Sequence, residues 1–286
     1  MTDGEQVISA YGVAIPRILY GTAWKKMQTE DLVKKAIRAG FRGIDTACQP
    51  KHYHEAGVGA GVAACLGNDL GRGNLYLQSK FTPLSGHDPT NVPYDPKADA
   101  AAQVQQSFAQ SLRNLRTDYV DCLVLHSPLQ SPHMMPVWRA MERIFDSGNV
   151  KQLGISNCYS LEYLEALCDS VRIKPAVLQN RFYAESNYDR NLRIFCRRSG
   201  IIYQSFWTLT ANPQVLADDL LQALAANYRR TTVQILFRYL SQNDIIPLTG
   251  TKSEVHMRED LSIFDFTLTQ DECAAMNALF ESGRTG

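Results

Sequence analysis

The feature that most narrows the fold of this 286-residue chain is a recurrence of short apolar runs, each followed by a longer segment of helical period. Eight runs read as strands: 18–21, 43–45, 75–79, 119–125, 152–155, 176–178, 201–204 and 245–247. Their brevity and continuous apolarity fit strands covered on both faces, as in a parallel sheet. Between them, Thr29-Glu30-Asp31 is expected to cap a helix carrying Leu32, Val33, Ala36 and Ile37 and ending at Gly40. The segment 98–115 has apolar residues at helical spacing, and Trp138, Met141, Ile144 and Phe145 share a face that stops at Gly148. Further helices are expected after Ser160, near Asp189, near Gln214 and near Thr231, with a last pattern over 271–280.

Eight strands at a mean pitch of about 36 residues predict an α/β fold, a (β/α)8 TIM barrel, in one domain over 1–286. No low-complexity segment or Gly/Ser-rich linker divides the chain. Two features stand outside the repeat. The stretch 7–15, with Tyr11-Gly12 at its middle, reads as an N-terminal β-hairpin that plugs the barrel floor. The pair of helices between Gln214 and Leu240 supplies an extra helix near the C-terminal part.

Lys plus Arg and Asp plus Glu both number 29, so net charge gives no reason to expect nucleic acid, an anionic membrane or a polyanion as partner. A small molecule is the expected partner, and a monomer or weak oligomer the expected state. No apolar run approaches the ~20 residues that span a bilayer, and the first residues lack the basic and apolar pattern of a signal peptide, so a cytoplasmic location is expected. Seven scattered cysteines, none in CxxC spacing, read as reduced thiols. His52-x-His54-Glu55 resembles a metal-ligand string, but no second ligand cluster accompanies it, and no metal is expected.

In such a barrel the active site forms at the C-terminal strand ends. There the sequence puts Gly21-Thr22-Ala23-Trp24, Asp45, Lys80, His126, Ser156-Asn157, Gln179-Asn180, Phe206-Trp207 and 249–253. Asp45, Lys80 and His126 follow successive strands, which lie ~4.8 Å apart. An Asp-Lys pair alone is as readily a structural salt bridge. Tyr53, eight residues past Asp45 on the same rim, adds a second meaning. A lysine ammonium beside a phenol lowers its pKa from ~10, and a carboxylate holds the lysine, which makes a tuned general acid suited to a carbonyl oxygen. The competing glycine cluster Gly57-x-Gly59-x-Gly61 is not GxGxxG and follows no strand, so it reads as close packing rather than as a phosphate cradle.

These motifs together resemble the aldo-keto reductases: "GTAW", "GFRGIDTA" with "YHEAGVG", "LQSK", "LVLHSP", "GISN", "VLQN" and "IPLTGTKSEVHMREDL" occur in order over nearly the whole chain. The resemblance implies a nicotinamide-dependent oxidoreductase on a (β/α)8 barrel that reduces an aldehyde or ketone. It implies Tyr53 as proton donor, Lys80 and Asp45 as its tuning pair, and His126 as the residue orienting the carbonyl. Ser156, Asn157 and Gln179 are implied to bind the nicotinamide amide and Phe206 to stack on its ring. Gly21, Thr22, Ala23, Trp207, Thr208, Leu209, Thr210, Gly250, Thr251, Lys252 and Ser253 would lie along the cofactor, with His256, Glu259 and Asp260 at the adenosine end. Trp24, Phe81 and Trp207 are the expected apolar walls for substrate.

Three departures accompany the resemblance. His54 stands where the family has Asn, Phe206-Trp207-Thr208-Leu209-Thr210 replaces the usual aromatic-Ser-Pro-Leu-Gly, and His256 replaces an adenosine-end Arg. Lys252 keeps NADP(H) ahead of NAD(H) as the expected cofactor, although a neutral His binds phosphate less well than Arg. The chain ends soon after 271–280, which leaves no room for the tail that closes the substrate pocket in many relatives and implies an open pocket for a bulky carbonyl compound. The same tetrad also suits alcohol dehydrogenation or dehydration, and the same barrel serves some relatives as a non-catalytic subunit.

Overall fold

The structure, a computed structural model, describes residues 5–67 and 69–281. A hairpin of β1 (Gln6–Ile8) and β2 (Ala14–Pro16) comes first, paired antiparallel with Val7 opposite Ile15. Then β3 (Leu19–Gly21), β4 (Gly43–Asp45), β5 (Tyr76–Phe81), β6 (Cys122–Leu125), β7 (Leu153–Ser156), β8 (Val177–Arg181), β9 (Ile202–Phe206) and β10 (Ile245–Thr249) follow as parallel neighbours. Because β10 pairs with both β9 and β3, the sheet closes. The architecture is the (β/α)8 barrel expected from the repeat.

The hairpin covers the N-terminal mouth: Val13 and Ile15 are buried in one apolar cluster with Leu19, Tyr76, Cys122, Val124 and Ile246. A second, larger cluster lies between the strands' outer faces and the helices. Helix α1 (Thr29–Ala39) packs beside α2 (Glu55–Ala63), and α2 beside α3 (Ala100–Leu115). Then come α4 (Met134–Asp146), α5 (Leu161–Ser170) and α6 (Arg190–Ser199). In α4, Trp138 is fully buried and donates through Nε1 to the Ile173 carbonyl at 2.9 Å, so its apolar bulk and its one polar atom are both satisfied.

The region 213–242 holds three helices rather than the expected pair: one turn of α7 (Pro213–Leu216), then α8 (Asp219–Tyr228) and α9 (Thr232–Gln242). Pro213 starts the first turn, and Asp218 and Thr231 each cap the next helix by accepting a backbone N–H. Helix α10 (Glu254–Leu261) follows β10, and α11 (Gln270–Glu281) is a further addition. The sequence reading missed α10 because only Met257 and Asp260 of its eight residues are buried, which leaves almost no apolar period. One capping expectation also fails. Thr29 lies inside α1, and its hydroxyl donates back to the Lys26 carbonyl, because a 3-10 turn at Lys26–Gln28 feeds straight into the helix.

The glycines of α2 are a packing device. A Cβ on Gly59 would collide with the Asn114 carbonyl of α3, and one on Gly61 would come within 2.7 Å of the Glu30 carbonyl of α1. Helix backbone therefore meets helix backbone on both sides of α2.

Candidate active site

Strand β5 builds the floor of the site by alternation. Tyr76, Gln78 and Lys80 point into the barrel, while Leu77, Ser79 and Phe81 point at the helices. In the register Asp45 stands opposite Gln78, and Lys80 opposite Val124. Lys80 is buried and donates from Nζ to both Asp45 carboxylate oxygens at 2.7 Å and to the Thr46 carbonyl at 2.9 Å. Asp45 Oδ1 also accepts from Gln78 Nε2 at 2.8 Å and Gln179 Nε2 at 2.9 Å. Both amides donate onward to Gln204 Oε1. The buried ion pair is thus sheathed in hydrogen bonds, the condition under which a buried charge pair is tolerable.

Tyr53 sits above this pair, with Lys80 Nζ 5.2 Å from its ring centroid and the His126 ring edge-on at 6.0 Å. Burial raises the phenol above its ordinary value; Lys80 lowers it and Asp45 raises it, and the net shift is upward. The sequence argument expected Lys80 to win, but loss of solvent outweighs it. Lys80 is pulled down by burial yet ends above its usual value, because Asp45 and Tyr53 favour the ammonium. His126 is driven well below 6.5, first by burial and then by Lys80, His52 and His87, so its imidazole is neutral. Its Nδ1 is 2.7 Å from the Thr82 hydroxyl.

Asp45, Tyr53, Thr82 and His126 line a cleft of about 800 Å³ that continues to the start of α10, with Lys80 buried beneath it. Gly21, Ala23 and Trp24 line it, as do Ser156, Asn157 and Gln179, the run Phe206 to Thr210, then Gly250 and Thr251, and at the far end His256, Glu259 and Asp260. Ser156 donates to the Gln179 carbonyl, and Asn157 Nδ2 to the His126 carbonyl at 2.9 Å. Trp24, Asn157 and Trp207 all have left-handed backbone, with φ of 62°, 54° and 58°, strain of a kind that collects at functional sites. Burial raises Asp260 to about 6 although it accepts from the Thr249 hydroxyl at 2.7 Å.

Other expected site residues lie elsewhere. Phe81 is turned outward by the strand's alternation and packs on Tyr94, ring centroids 5.7 Å apart, so it is no substrate wall. Thr22 is buried behind the wall, its hydroxyl spent on the Asp45 carbonyl at 2.8 Å. Lys252 reaches Gln28 at 3.0 Å outside the cleft lining, and Ser253 caps α10. His54 also stays off the lining: its ring packs on Gly57, and its buried Nδ1 has no partner. Its neighbour His52 packs against Trp24, the rings tilted and their centroids 4.0 Å apart. Among the described residues, no group of three or more His, Cys, Asp or Glu is placed to hold a metal ion, and no helix is long and apolar enough to cross a membrane.

Sequence reading missed Thr82, Arg181 and Lys25. The first two had a signal: they lie two residues past Lys80 and Gln179, on the same strand face. Lys25 follows the GTAW motif, is buried, and donates to the Gly250 carbonyl at 2.6 Å; burial and then Lys252 pull it down to about 8.

Comparison with known proteins bears on the family and the fold. The chain is 31% identical to Uncharacterized oxidoreductase YtbE of Bacillus subtilis over 256 residues, 89% of this chain and 84% of that protein. It is 28% identical to Glyoxal reductase of the same organism over 260 residues, 91% of this chain and 86% of that one. Among solved structures, an aldo/keto reductase from Brucella melitensis superposes with a TM-score of 0.81 at 26% identity, covering 96% of this chain and 98% of its own. The model of the Aldo/keto reductase family matches residues 17–281, and the chain belongs to that family.

Proposed function

We propose that this protein reduces an aldehyde or ketone to the alcohol, with NADP(H) preferred over NAD(H). The observation that carries the reading is the convergence of Asp45, Lys80, Tyr53 and His126 at one end of a cleft of about 800 Å³ whose lining reaches the start of α10. The lining fits such a cofactor. Ser156, Asn157 and Gln179 supply amide-binding groups, Phe206 offers a ring face, and at Gly250 an added Cβ would meet nothing closer than Lys25 Nζ at 3.8 Å. Gln179 spends its Nε2 on Asp45 and Gln204, which leaves Oε1 as its free acceptor. The preference for NADP(H) rests on Lys252, an exposed cation just past β10 that lies beside Gln28 outside the lining.

Bound there, a reduced nicotinamide supplies the hydride. The chain's own residues do the rest. Neutral His126, with Nδ1 on Thr82, turns Nε2 to the substrate oxygen and orients it. Tyr53, kept protonated by its burial, gives the oxygen a proton, and Lys80 stabilises the phenolate that remains, held in place by Asp45. In the reverse direction the same phenolate takes a proton from an alcohol.

The test is absorbance at 340 nm with NADPH and a panel of carbonyl compounds, comparing the protein with Tyr53→Phe. The expected result is turnover lost and cofactor binding kept. A Tyr53→Phe protein with unchanged kcat would overturn the assignment. Thermal-shift titration with NADPH and NADH ranks the cofactors.

A further inference from the structure

Among the described residues Arg181 is the one arginine that lines the cleft, and like Arg193 and Arg238 it has no ion-pair partner there. Arg72, Arg139, Arg172 and Arg230 each have a carboxylate within 4 Å, whereas no carboxylate of the described residues comes that close to Arg181. It lines the active-site cleft and is only partly exposed. Its guanidinium lies over the Trp207 ring at 4.1 Å and near the Tyr183 ring at 5.2 Å. Its Nε is buried and without a hydrogen-bond partner. A guanidinium stays charged at any working pH, and a partly desolvated one with an unused donor calls for an oxyanion.

The surroundings place that oxyanion near the reacting end. Arg181 is in register with Phe206. Its backbone N–H donates to the Tyr159 hydroxyl at 3.2 Å, that hydroxyl donates to Asn157 Oδ1, and Asn157 donates to the His126 carbonyl. The acidic groups of the cleft are elsewhere: Asp45 is engaged by Lys80, and Glu259 and Asp260 lie at the α10 end. With Trp207 and Tyr183 packed against the guanidinium carbon, a free N–H edge can meet a carboxylate or phosphate in two parallel bonds.

We propose that Arg181 is the oxyanion-binding residue of this cleft, and that the oxyanion is the carboxylate of an acidic carbonyl substrate. A phosphate of the dinucleotide offers the same chemistry, and the experiment separates the two sources. The inference rests on the proposed carbonyl reduction only in its first arm. There, kcat/KM is measured for 4-carboxybenzaldehyde and for benzaldehyde with the protein, Arg181→Met and Arg181→Lys. In Arg181→Met the ratio of the two constants is expected to fall roughly 10- to 100-fold, with partial recovery in Arg181→Lys.

The second arm needs no turnover: the Kd of NADPH is read from quenching of tryptophan fluorescence, and that of benzoate by calorimetry. Weakened benzoate binding in Arg181→Met with an unchanged NADPH Kd supports the substrate carboxylate even if no tested aldehyde is reduced. A weakened NADPH Kd with an unchanged substrate ratio assigns Arg181 to the cofactor and overturns the substrate assignment. Unchanged values in both arms, or an equal loss on both aldehydes with both Kd values unchanged, overturn the proposal altogether. Circular dichroism melts of the variants confirm that each compared protein is folded.

Discussion

The Thr82 hydroxyl lies 2.7 Å from His126 Nδ1, and this contact engages that ring nitrogen and leaves Nε2 as the other. With the Thr82 hydroxyl as donor to Nδ1, Nε2 carries the imidazole's hydrogen. Thr82→Val removes that bond while keeping the volume. The expected outcome is a fall in kcat of roughly 10-fold with little change in cofactor Kd, and recovery in Thr82→Ser. Steady-state kinetics on the three proteins checks it; equal kcat for Thr82→Val and the parent would sink the idea.

The pH dependence of reduction follows from two shifts of opposite sign. His126 is neutral because its pKa lies well below 6.5, and Tyr53 is protonated because its pKa lies above 10. Reduction needs both of these forms, so kcat/KM is expected to be level across neutral pH and to fall only as pH passes the raised phenol value. Alcohol oxidation needs the phenolate and is expected to climb with pH over the alkaline range. A protonic transition centred near the ordinary histidine value, seen in kcat/KM for reduction, contradicts this.

Asp260 makes a stability prediction. Burial lifts its carboxyl from 3.8 to about 6, with the Thr249 hydroxyl and His256 pulling it down and Glu259 pushing it up. The folded state therefore holds this proton more tightly than the unfolded chain does. Stability from this group is complete below about pH 4 and is lost as pH rises through about 6, by at most about 3 kcal/mol. Asp260→Asn keeps an acceptor for Thr249 without the charge. It is expected to melt higher than the parent at pH 7.5 and to lose that advantage at pH 4.5, in paired calorimetric scans.

Gly59→Ala tests the bare face of α2. The new methyl would press on the Asn114 backbone carbonyl, which cannot swing aside as a side-chain tip can. Denaturant unfolding is expected to show a loss of about 3 kcal/mol, at the upper end for an added methylene in a packed core.

How much of this was legible in the sequence depends on the length scale. Strand number and order were readable because short doubly covered strands leave apolar runs, as in "DCLVL" before His126. The tetrad was readable because each member directly follows such a run or its loop. The direction of single side chains was not read with the same care. Phe81 was expected in the pocket beside Lys80, although neighbours on a strand face opposite ways, and the same alternation puts Thr82 and Arg181 on the working face. Helix α10 was missed because a short, half-exposed helix needs little apolar pattern. The balance of burial against Lys80 at Tyr53 was beyond any reading of the chain, since it depends on how much solvent the fold removes.

The bare face of α2 has a mechanical side. Tyr53 stands two residues ahead of this helix, and Glu55 in its first turn is tied by hydrogen bonds to Ser79 of β5 and Asn114 of α3. Most helices ride on compliant side chains that absorb a neighbour's small displacement. Here no side chain of Gly59 stands between the α2 backbone and the Asn114 carbonyl of α3. A bulkier residue at 59 would therefore have to displace either α3 or the helix whose first turn begins two residues after Tyr53.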